Sequence, residues 1–131
     1  GPRGVVLAVE NHGGPTQNGA RMARLMEGLK TPAVGVNFDP ANFLKLGVDP
    51  LIALRQVLPW VKYSHWKDVR WDGRGTAYCA LGEGDLPTAR LVTELLQAGY
   101  AGPLAIEYET PEDIERGTRI SAAVLRSALQ K

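Results

Sequence analysis

The pattern that decides the fold is Val5-Val6-Leu7-Ala8-Val9-Glu10-Asn11-His12. Five apolar residues, three of them valine, are followed directly by a carboxylate, an amide and an imidazole. A short, continuous run rich in β-branched residues is typical of a strand buried on both faces, and such strands belong to parallel sheets. We therefore predict a buried parallel strand over residues 5–9 that presents polar side chains at its C-terminal end.

Three later stretches repeat this design, each an apolar run that ends in a residue able to bind a metal or transfer a proton. They are residues 33–38 before Asp39, 61–64 before His65 and 104–106 before Glu107. Apolar residues at helical spacing fill the stretches that follow the four runs. The chain therefore alternates strand and helix four times, in units of about 30 residues, the size of a βαβ motif.

Four parallel βα units are half of an eight-stranded barrel, so we predict an α/β fold of the (βα)4 half-barrel type. The whole chain, residues 1–131, is expected to form one domain. In eight-stranded βα barrels the active site lies at the C-terminal ends of the strands, where the four polar residues fall. Helix starts are predicted at Thr16, Asp49 and Thr110, a turn at 39–42, and a hairpin from 69–71 and 76–78.

Composition and charge exclude several classes of function. Lys plus Arg number 15 and Asp plus Glu 14, so the formal net charge of +1 argues against nucleic-acid binding through bulk charge. No apolar stretch approaches the ~20 residues that a membrane span needs, and no signal peptide is visible. The single Cys79 fits a reducing cytoplasm, which is the expected location. Gly1-Pro2 resembles the scar left by a protease-cleaved tag.

Glu10, Asp39, His65 and Glu107 together offer three carboxylates and one imidazole. Adjacent strands lie ~4.8 Å apart, so side chains that lean inward from neighbouring strand ends can reach one divalent cation. An oxygen-rich set with one histidine favours Mn²⁺, Mg²⁺ or Co²⁺, and Zn²⁺ also fits. We therefore predict one divalent metal per chain.

Each of these residues also has a purely structural interpretation. Asp39 precedes Pro40 and suits a turn, and His65 taken alone is more typical of a hydrogen-bonded core histidine. Acids at strand ends also cap helices or pair with Lys and Arg. The joint occurrence favours the metal site, because four helix caps would not require a histidine and four surface acids would not all follow apolar strands.

Five segments, in order, resemble the C-terminal half of the sugar phosphate isomerase/epimerase superfamily, the xylose isomerase-like TIM barrel group. They are Glu10-Asn11-His12-Gly13-Gly14, Asn37-Phe38-Asp39-Pro40-Ala41-Asn42, His65-Trp66-Lys67-Asp68, Gly82-Glu83-Gly84 and Ile106-Glu107-Tyr108-Glu109. The resemblance covers nearly the whole chain and implies a single-metal site on Glu10, Asp39, His65 and Glu107. It also implies that Glu10 and Glu107 act as the catalytic acid/base pair.

The resemblance further points to residues that bind substrate or orient the metal ligands: His12, Asn42, Lys67, Arg70 and Glu109. Lys67 suits a salt bridge with Asp68 or Glu109 equally well. Asn42 stands where many relatives carry a histidine that touches substrate or a second metal, which argues against a three-metal, phosphodiester-cleaving site. Arg70 lies near the arginine that follows the metal-binding histidine in the epimerases.

The implied activity is isomerisation or epimerisation of a small sugar or sugar phosphate through an enediolate. A metal polarises the carbonyl and its neighbouring hydroxyl, and carboxylates remove and return the proton. Two alternatives stay open. One is a lyase of the inosose dehydratase type, and the other is a half-barrel scaffold that binds metal without catalysis.

An isolated half-barrel would expose two sheet edges and an apolar inner face, which favours association. A homodimer with two-fold symmetry would complete an eight-stranded barrel by joining the first and fourth strands to those of the partner. Pairing with a separate N-terminal half, or an excised or engineered fragment, are the alternatives.

Overall fold

The computed structural model describes residues 3–130, so the predicted tag scar at Gly1-Pro2 lies outside the described residues. The strands are β1 (Leu7–Glu10), β2 (Val34–Phe38), β3 (Val61–Trp66), β4 (Asp68–Trp71), β5 (Thr76–Cys79) and β6 (Leu104–Ile106). The α-helices are α1 (Gly19–Leu29), α2 (Pro40–Lys45), α3 (Pro50–Val57), α4 (Thr88–Gln97) and α5 (Ile114–Ala128). Short 3-10 helices cover Gly14–Thr16 and Leu58–Trp60. Among the helices of residues 3–130, none has the length and apolar character to cross a membrane.

The predicted parallel strands form one sheet in the order β1-β2-β3-β6, which confirms that neighbours in sequence are neighbours in space. Glu10 pairs with Asn37, and His65 pairs with Ala105. The pairing of β2 with β3 shifts by one residue after Val36: Val36 pairs with Val61, and Asn37 pairs with Tyr63. Because the strands are parallel, their C-terminal ends meet at one edge of the sheet.

The core lies between the helices and the face of the sheet that carries Phe38 and Trp66. Both side chains are fully buried, as are Leu54 of α3 and Leu91 of α4. Burying one large apolar side chain contributes ~1.5–3 kcal/mol, so this layer holds the strands in place. Gly19 lets α1 approach α3, because a Cβ there would lie 2.8 Å from the Cα of Ala53.

The opposite, inner face of the sheet carries polar side chains toward its C-terminal edge, where the prediction was of an apolar inner face. Side chains alternate along a strand, so Asn37 and Tyr63 share the face of Glu10 and His65. Two contacts confirm this arrangement, one from Asn37 to His65 and an edge-to-face contact from Tyr63 to His65. The strands therefore bury apolar side chains on the helix side alone.

Exposed apolar surface lies instead at the start of the first strand. Val5, Val6 and Leu7 are 62%, 45% and 66% exposed. The strand predicted over 5–9 begins only at Leu7, and β2 is the strand that pairs with it. One edge of the sheet thus carries apolar side chains in contact with solvent.

A helix rather than the predicted turn follows β2. Helix α2 begins at Pro40, and Asp39 caps it by accepting the backbone N–H of Asn42. The prediction that Asp49 caps the next helix is confirmed, since its carboxylate accepts two backbone N–H groups of α3. Aspartate is thus the N-cap of α2 and of α3, a position for which it has a strong preference.

The predicted caps at Thr16 and Thr110 are wrong. Thr16 belongs to a 3-10 helix, where its hydroxyl donates to backbone carbonyls, and Asn18 caps α1 instead. Helix α5 begins only at Ile114, beyond Thr110. A threonine hydroxyl can bond several nearby backbone groups, so its position before a helix does not decide where the helix starts.

The predicted hairpin is confirmed as β4 and β5, which pair antiparallel directly after β3. Its base is held by Asp68, whose buried carboxylate accepts backbone N–H groups at 2.8–3.2 Å from Val69, Gly82, Gly84 and Leu86. Burial raises the pKa of Asp68, and these hydrogen bonds oppose the rise because they stabilise the charged form. A Cβ on Gly84 would collide with the Asp68 carboxylate and lie 2.5 Å from the Val69 carbonyl oxygen, so only glycine fits.

Candidate metal centre

The four residues predicted to bind a metal meet at the C-terminal edge of the sheet. One ligand atom each from Glu10, Asp39, His65 and Glu107 lies within 4.8 Å of all the others. A flat sheet would separate its first and fourth strands by about 14 Å. The sheet therefore curves, and its edge strands bring Glu10 and Glu107 together across the inner face.

Asp39 is the most buried member of this cluster, with no exposed surface. Its Oδ1 accepts the Asn42 backbone N–H at 3.1 Å. Its Oδ2 is buried and lies 2.9 Å from the Lys67 Nζ, with which it forms an ion pair. Burial raises the pKa of Asp39 to about 6, against the opposing effect of the Lys67 charge.

Lys67 lies beside the cluster rather than on the protein surface, with 2% of its side chain exposed. Its ammonium donates to Glu107 Oε2 at 2.7 Å and also contacts Glu109 Oε1. Burial alone would lower the pKa of Lys67, but Glu107, Glu109 and Asp39 raise it above its ordinary value. The predicted pairing with Glu109 is confirmed, whereas Asp68 bonds to backbone amides instead.

His65 directs one ring nitrogen at the carboxylates. Its Nδ1 lies 3.3 Å from Glu107 Oε2 and 3.6 Å from Glu10 Oε1. The Asn37 Nδ2 approaches the same nitrogen at 3.2 Å. The ring is also 24% exposed, so His65 is a member of the polar cluster and not an enclosed core histidine.

Two asparagines that the sequence interpretation did not single out hold the cluster. Asn11 is 1% exposed and clamps the backbone of Asp39, accepting from its N–H at 2.8 Å and donating to its carbonyl at 2.7 Å. Asn37 holds His65 as described. Their positions carried a usable signal, because Asn11 directly follows Glu10 and Asn37 shares the inner face with Asp39 by strand alternation.

The predicted substrate-binding residues divide into two groups. Asn42, Lys67 and Glu109 lie against the cluster, and Asn42 donates to Glu10 Oε1 at 3.0 Å. His12 and Arg70 are exposed. Within the described part of the chain, neither of these two side chains hydrogen-bonds or forms an ion pair with a clustered residue.

The rim of the site includes two residues that the sequence interpretation missed. Tyr78, on the hairpin, accepts a hydrogen bond from Lys45 Nζ at 2.8 Å, and this ammonium lies 4.6 Å from the Tyr78 ring centroid. The Lys67 ammonium lies 5.7 Å from the same ring. Tyr78 could be identified only once the pairing of the two hairpin strands was known. In that pairing Tyr78 lies opposite the buried Val69, so the two side chains are on the same side of the hairpin.

The residues present fit a divalent cation. Three carboxylates and one imidazole supply the oxygen-rich donor set that Mn²⁺, Mg²⁺ and Co²⁺ favour, and their spacing allows one ion to touch all four. The Oδ2 of Asp39 is a buried anionic oxygen with the Lys67 ammonium 2.9 Å away, and a bound cation would add a second positive partner. The arrangement can therefore hold a metal, with two of the clustered carboxylates, Glu10 and Glu107, able to move protons.

Comparison with known proteins agrees with this geometry. A family model described as a xylose isomerase-like TIM barrel matches residues 1–128. The C-glycoside deglycosidase alpha subunit of Arthrobacter globiformis is 32% identical over 105 residues, covering 74% of this chain and 26% of that protein. An inosose dehydratase of Bacillus thuringiensis is 24% identical over 123 residues, covering 82% of this chain and 41% of the dehydratase.

Solved structures share the fold over nearly the whole chain. A xylose isomerase domain protein from Planctomyces limnophilus has a TM-score of 0.79 at 32% identity, covering 98% of this chain and 47% of that one. A xylose isomerase-like TIM barrel protein from Mycobacterium smegmatis, in complex with magnesium, has a TM-score of 0.82 at 21% identity, covering 98% and 46%. An L-ribulose 3-epimerase has a TM-score of 0.76 at 18% identity, covering 98% and 48%. The last two show the fold alone, and this chain spans about half of each solved structure.

Proposed function

The chain belongs to the xylose isomerase-like TIM barrel family, and from this premise we propose that it is a divalent-metal-dependent isomerase or epimerase of small sugars or sugar phosphates. The observation that carries the proposal is the cluster of Glu10, Asp39, His65 and Glu107. Their ligand atoms lie within 4.8 Å of one another, and the Asp39 carboxylate among them is fully buried. We expect one Mn²⁺, Mg²⁺ or Co²⁺ per chain, with Zn²⁺ as a further candidate.

Glu10 and Glu107 reach the site from opposite edges of the sheet, so a sugar bound between them has a carboxylate near each face. A divalent cation at this site supplies polarisation of the carbonyl and the adjacent hydroxyl, which makes the neighbouring C–H acidic. One carboxylate takes that proton, and the electron pair of the broken C–H bond passes into the double bond of an enediolate. The other residue, entering the step as the protonated carboxylic acid, would then donate its proton to the opposite face of the carbon.

Lys67 and Glu109 support this chemistry through charge and position. The Lys67 ammonium holds Glu107 by a hydrogen bond and faces Asp39 and Glu109 as ion pairs. It offsets part of the repulsion among carboxylates that converge on one point. On this proposal Lys67 keeps Glu107 oriented, and Glu109 keeps Lys67 in place.

Deuterium exchange tests the proton transfer without requiring the natural substrate. The protein is incubated with Mn²⁺ and a ketohexose such as D-fructose in D₂O. Proton NMR follows the signals of the hydrogens on the carbons next to the carbonyl. We expect deuterium to enter these positions, EDTA to stop it, and Glu107→Gln to slow it by at least ~100-fold, the contribution typical of a general base. The matched control is Glu112→Gln, the same change at an exposed position.

Exchange that persists in Glu107→Gln would overturn the assigned acid/base role. Metal binding without exchange across a panel of ketoses and their phosphates would favour the non-catalytic scaffold.

A lyase of the inosose dehydratase type is the second candidate, and its support is the 24% identical relative of that name. Both reactions begin with the same proton removal, but the lyase then expels a hydroxyl group. Mass spectrometry of the product separates them. A product lighter by one water supports the lyase, and a product of unchanged mass supports the isomerase.

The four strands are proposed to be half of an eight-stranded barrel that a second copy of the chain completes. Support comes from the exposed apolar residues at the β1 edge and from the solved structures, of which this chain spans about half. Two-fold symmetry would join the edge strands of one copy to those of the other. Light scattering coupled to size-exclusion chromatography should give twice the 14.2 kDa chain mass, and a monodisperse monomer would contradict the closed barrel.

A further inference from the structure

A buried asparagine contacts the candidate metal centre from helix α2. Asn42 is 5% exposed. Its side-chain Nδ2 donates to Glu10 Oε1 at 3.0 Å, and its backbone N–H donates to Asp39 Oδ1 at 3.1 Å. One residue of α2 therefore contacts two of the clustered carboxylates, the first through its side chain and the second through its backbone.

We infer that Asn42 is a positioning residue, whose carboxamide holds the Glu10 carboxylate in the orientation that the metal centre needs. This inference rests on the proposed metal-dependent function. It differs from the expectation that Asn42 touches substrate, because its amide already donates to Glu10.

Glu10 needs such a partner more than the other clustered residues do. It ends an edge strand, its side chain is 27% exposed, and its carboxylate is reached by a long flexible stem. Asp39 has the Asn11 clamp on its backbone, and Lys67 holds Glu107. Ordering a glutamate side chain costs about 1.5–2 kcal/mol of rotamer entropy, so a partner that orders it before the cation arrives strengthens binding.

An amide suits this role on electrostatic grounds. It donates a hydrogen bond without carrying a charge, so it reduces the attraction between Glu10 and a cation less than a lysine or arginine would. A carboxylate oxygen has more than one lone pair, which leaves Glu10 free to bind the metal while Asn42 donates to it. Hydrogen-bonded ligand carboxylates are the usual state of protein metal sites.

Four variants separate positioning from a merely structural role. Asn42→Ala removes the amide and leaves the backbone N–H that bonds Asp39. Asn42→Leu also removes it but keeps the side-chain volume, whereas Asn42→Gln restores an amide donor. The matched control is Asn18→Ala, which removes the N-cap side chain of α1, whose hydrogen bond is to the Arg21 backbone N–H and not to a clustered residue.

The measurement is the Kd of Mn²⁺ by isothermal titration calorimetry, well below the melting temperature of each variant. We expect Asn42→Ala and Asn42→Leu to bind roughly 10–100-fold more weakly, the usual cost of losing a partner of a metal ligand. Asn42→Gln should recover part of the loss. The visible absorption spectrum of bound Co²⁺ should change in the Ala and Leu variants, because the ligand geometry changes. Asn18→Ala should lower the melting temperature and leave both metal readouts unaltered.

Wild-type Kd and wild-type Co²⁺ spectra in both Asn42→Ala and Asn42→Leu would overturn the positioning role while leaving the proposed function intact. Folded wild-type protein that binds neither Mn²⁺ nor Co²⁺ would overturn the proposed function, and this inference with it. If Asn42→Ala fails to fold, the Leu and Gln variants decide by the same comparison.

Discussion

Asp39 and Asp68 are both fully buried carboxylates, yet their oxygens have different hydrogen-bond partners. Each oxygen of Asp68 accepts two backbone N–H groups from the hairpin base and the following loop. Asp39 has one oxygen bonded to a backbone N–H and a second paired with the Lys67 ammonium. Burial alone therefore does not distinguish the two carboxylates, whereas their partners do: backbone N–H groups for Asp68 and a lysine ammonium for Asp39.

The two carboxylates also differ in what stabilises their charge. Burial raises the pKa of both, but Asp68 is stabilised by backbone dipoles that are fixed by the fold. Asp39 relies on the ammonium of Lys67 and, on our proposal, on a bound cation. Asp68 is thus a structural residue of the hairpin, and Asp39 is a residue of the site.

The largest expected effect comes from Asp68→Ala. The substitution leaves four backbone N–H groups without an acceptor, two buried and two partly buried. A buried group left unpaired costs ~1–3 kcal/mol, so we expect the free energy of unfolding to fall by about 3–5 kcal/mol. Urea denaturation measures it. Asp72→Ala is the matched control, because Asp72 accepts two N–H groups at the exposed hairpin turn and should cost no more than ~1 kcal/mol. Equal losses of unfolding free energy in the two variants would show that the hydrogen bonds of Asp68 stabilise the fold no more than the exposed ones of Asp72.

Asp39→Asn should show the opposite behaviour. The amide keeps an oxygen for the Asn42 N–H and ends the cost of a buried charge, whereas Lys67 loses one of its three carboxylate partners and keeps Glu107 and Glu109. Metal-free stability should therefore change by less than ~2 kcal/mol. Wild-type protein should gain ~2.7 kcal/mol at an Mn²⁺ concentration one hundred times its Kd, and this gain should vanish in the variant. Thermal melts with and without Mn²⁺ measure both quantities.

The control for that experiment is Asp49→Asn, the same change at the exposed cap of α3, which should keep the Mn²⁺ response. A full Mn²⁺ response in Asp39→Asn would show that Asp39 is not a ligand.

The smallest effect sharpens the description of the Asp68 environment. Gly84→Ala places a methyl group against the Asp68 carboxylate and should cost about 2 kcal/mol, as overpacking does. Gly28→Ala is the matched control, since a Cβ there meets nothing within 4 Å in helix α1 and should stabilise by about 0.5–1 kcal/mol. If Gly84→Ala leaves the free energy of unfolding unchanged, the loop around Asp68 can shift to accommodate the methyl group at little cost.

The sheet and the clustered residues were predictable because their signals are local. Each apolar run identifies a strand, and the polar residue that ends it lies within one or two positions of the run, as with Asp39 after β2. Parallel strands then place these residues at one edge without further information. The confirmed order of the four strands follows from the same connectivity rule.

The partners of these residues were not predictable, because they depend on the register between distant segments. Asn11 meets Asp39 across 28 positions, and Lys67 meets Glu107 across 40. The sequence allowed Lys67 to pair with either Asp68 or Glu109, and only the fold separates them. The wrong cap at Thr16 has a local origin instead, since its hydroxyl donates to the carbonyl of Gly13, three residues away.

Lys67 and Asp68 are adjacent, yet one contacts the carboxylate cluster and the other the backbone behind the hairpin. A single inserted or deleted residue at the end of β3 would turn each toward the other's surroundings, since neighbouring strand residues point to opposite sides. The hairpin tip around Gly73 is exposed, so an inserted or deleted residue there is tolerated more easily. Among related sequences, we therefore expect changes in length to collect at the hairpin tip, while the spacing from His65 to Asp68 stays constant.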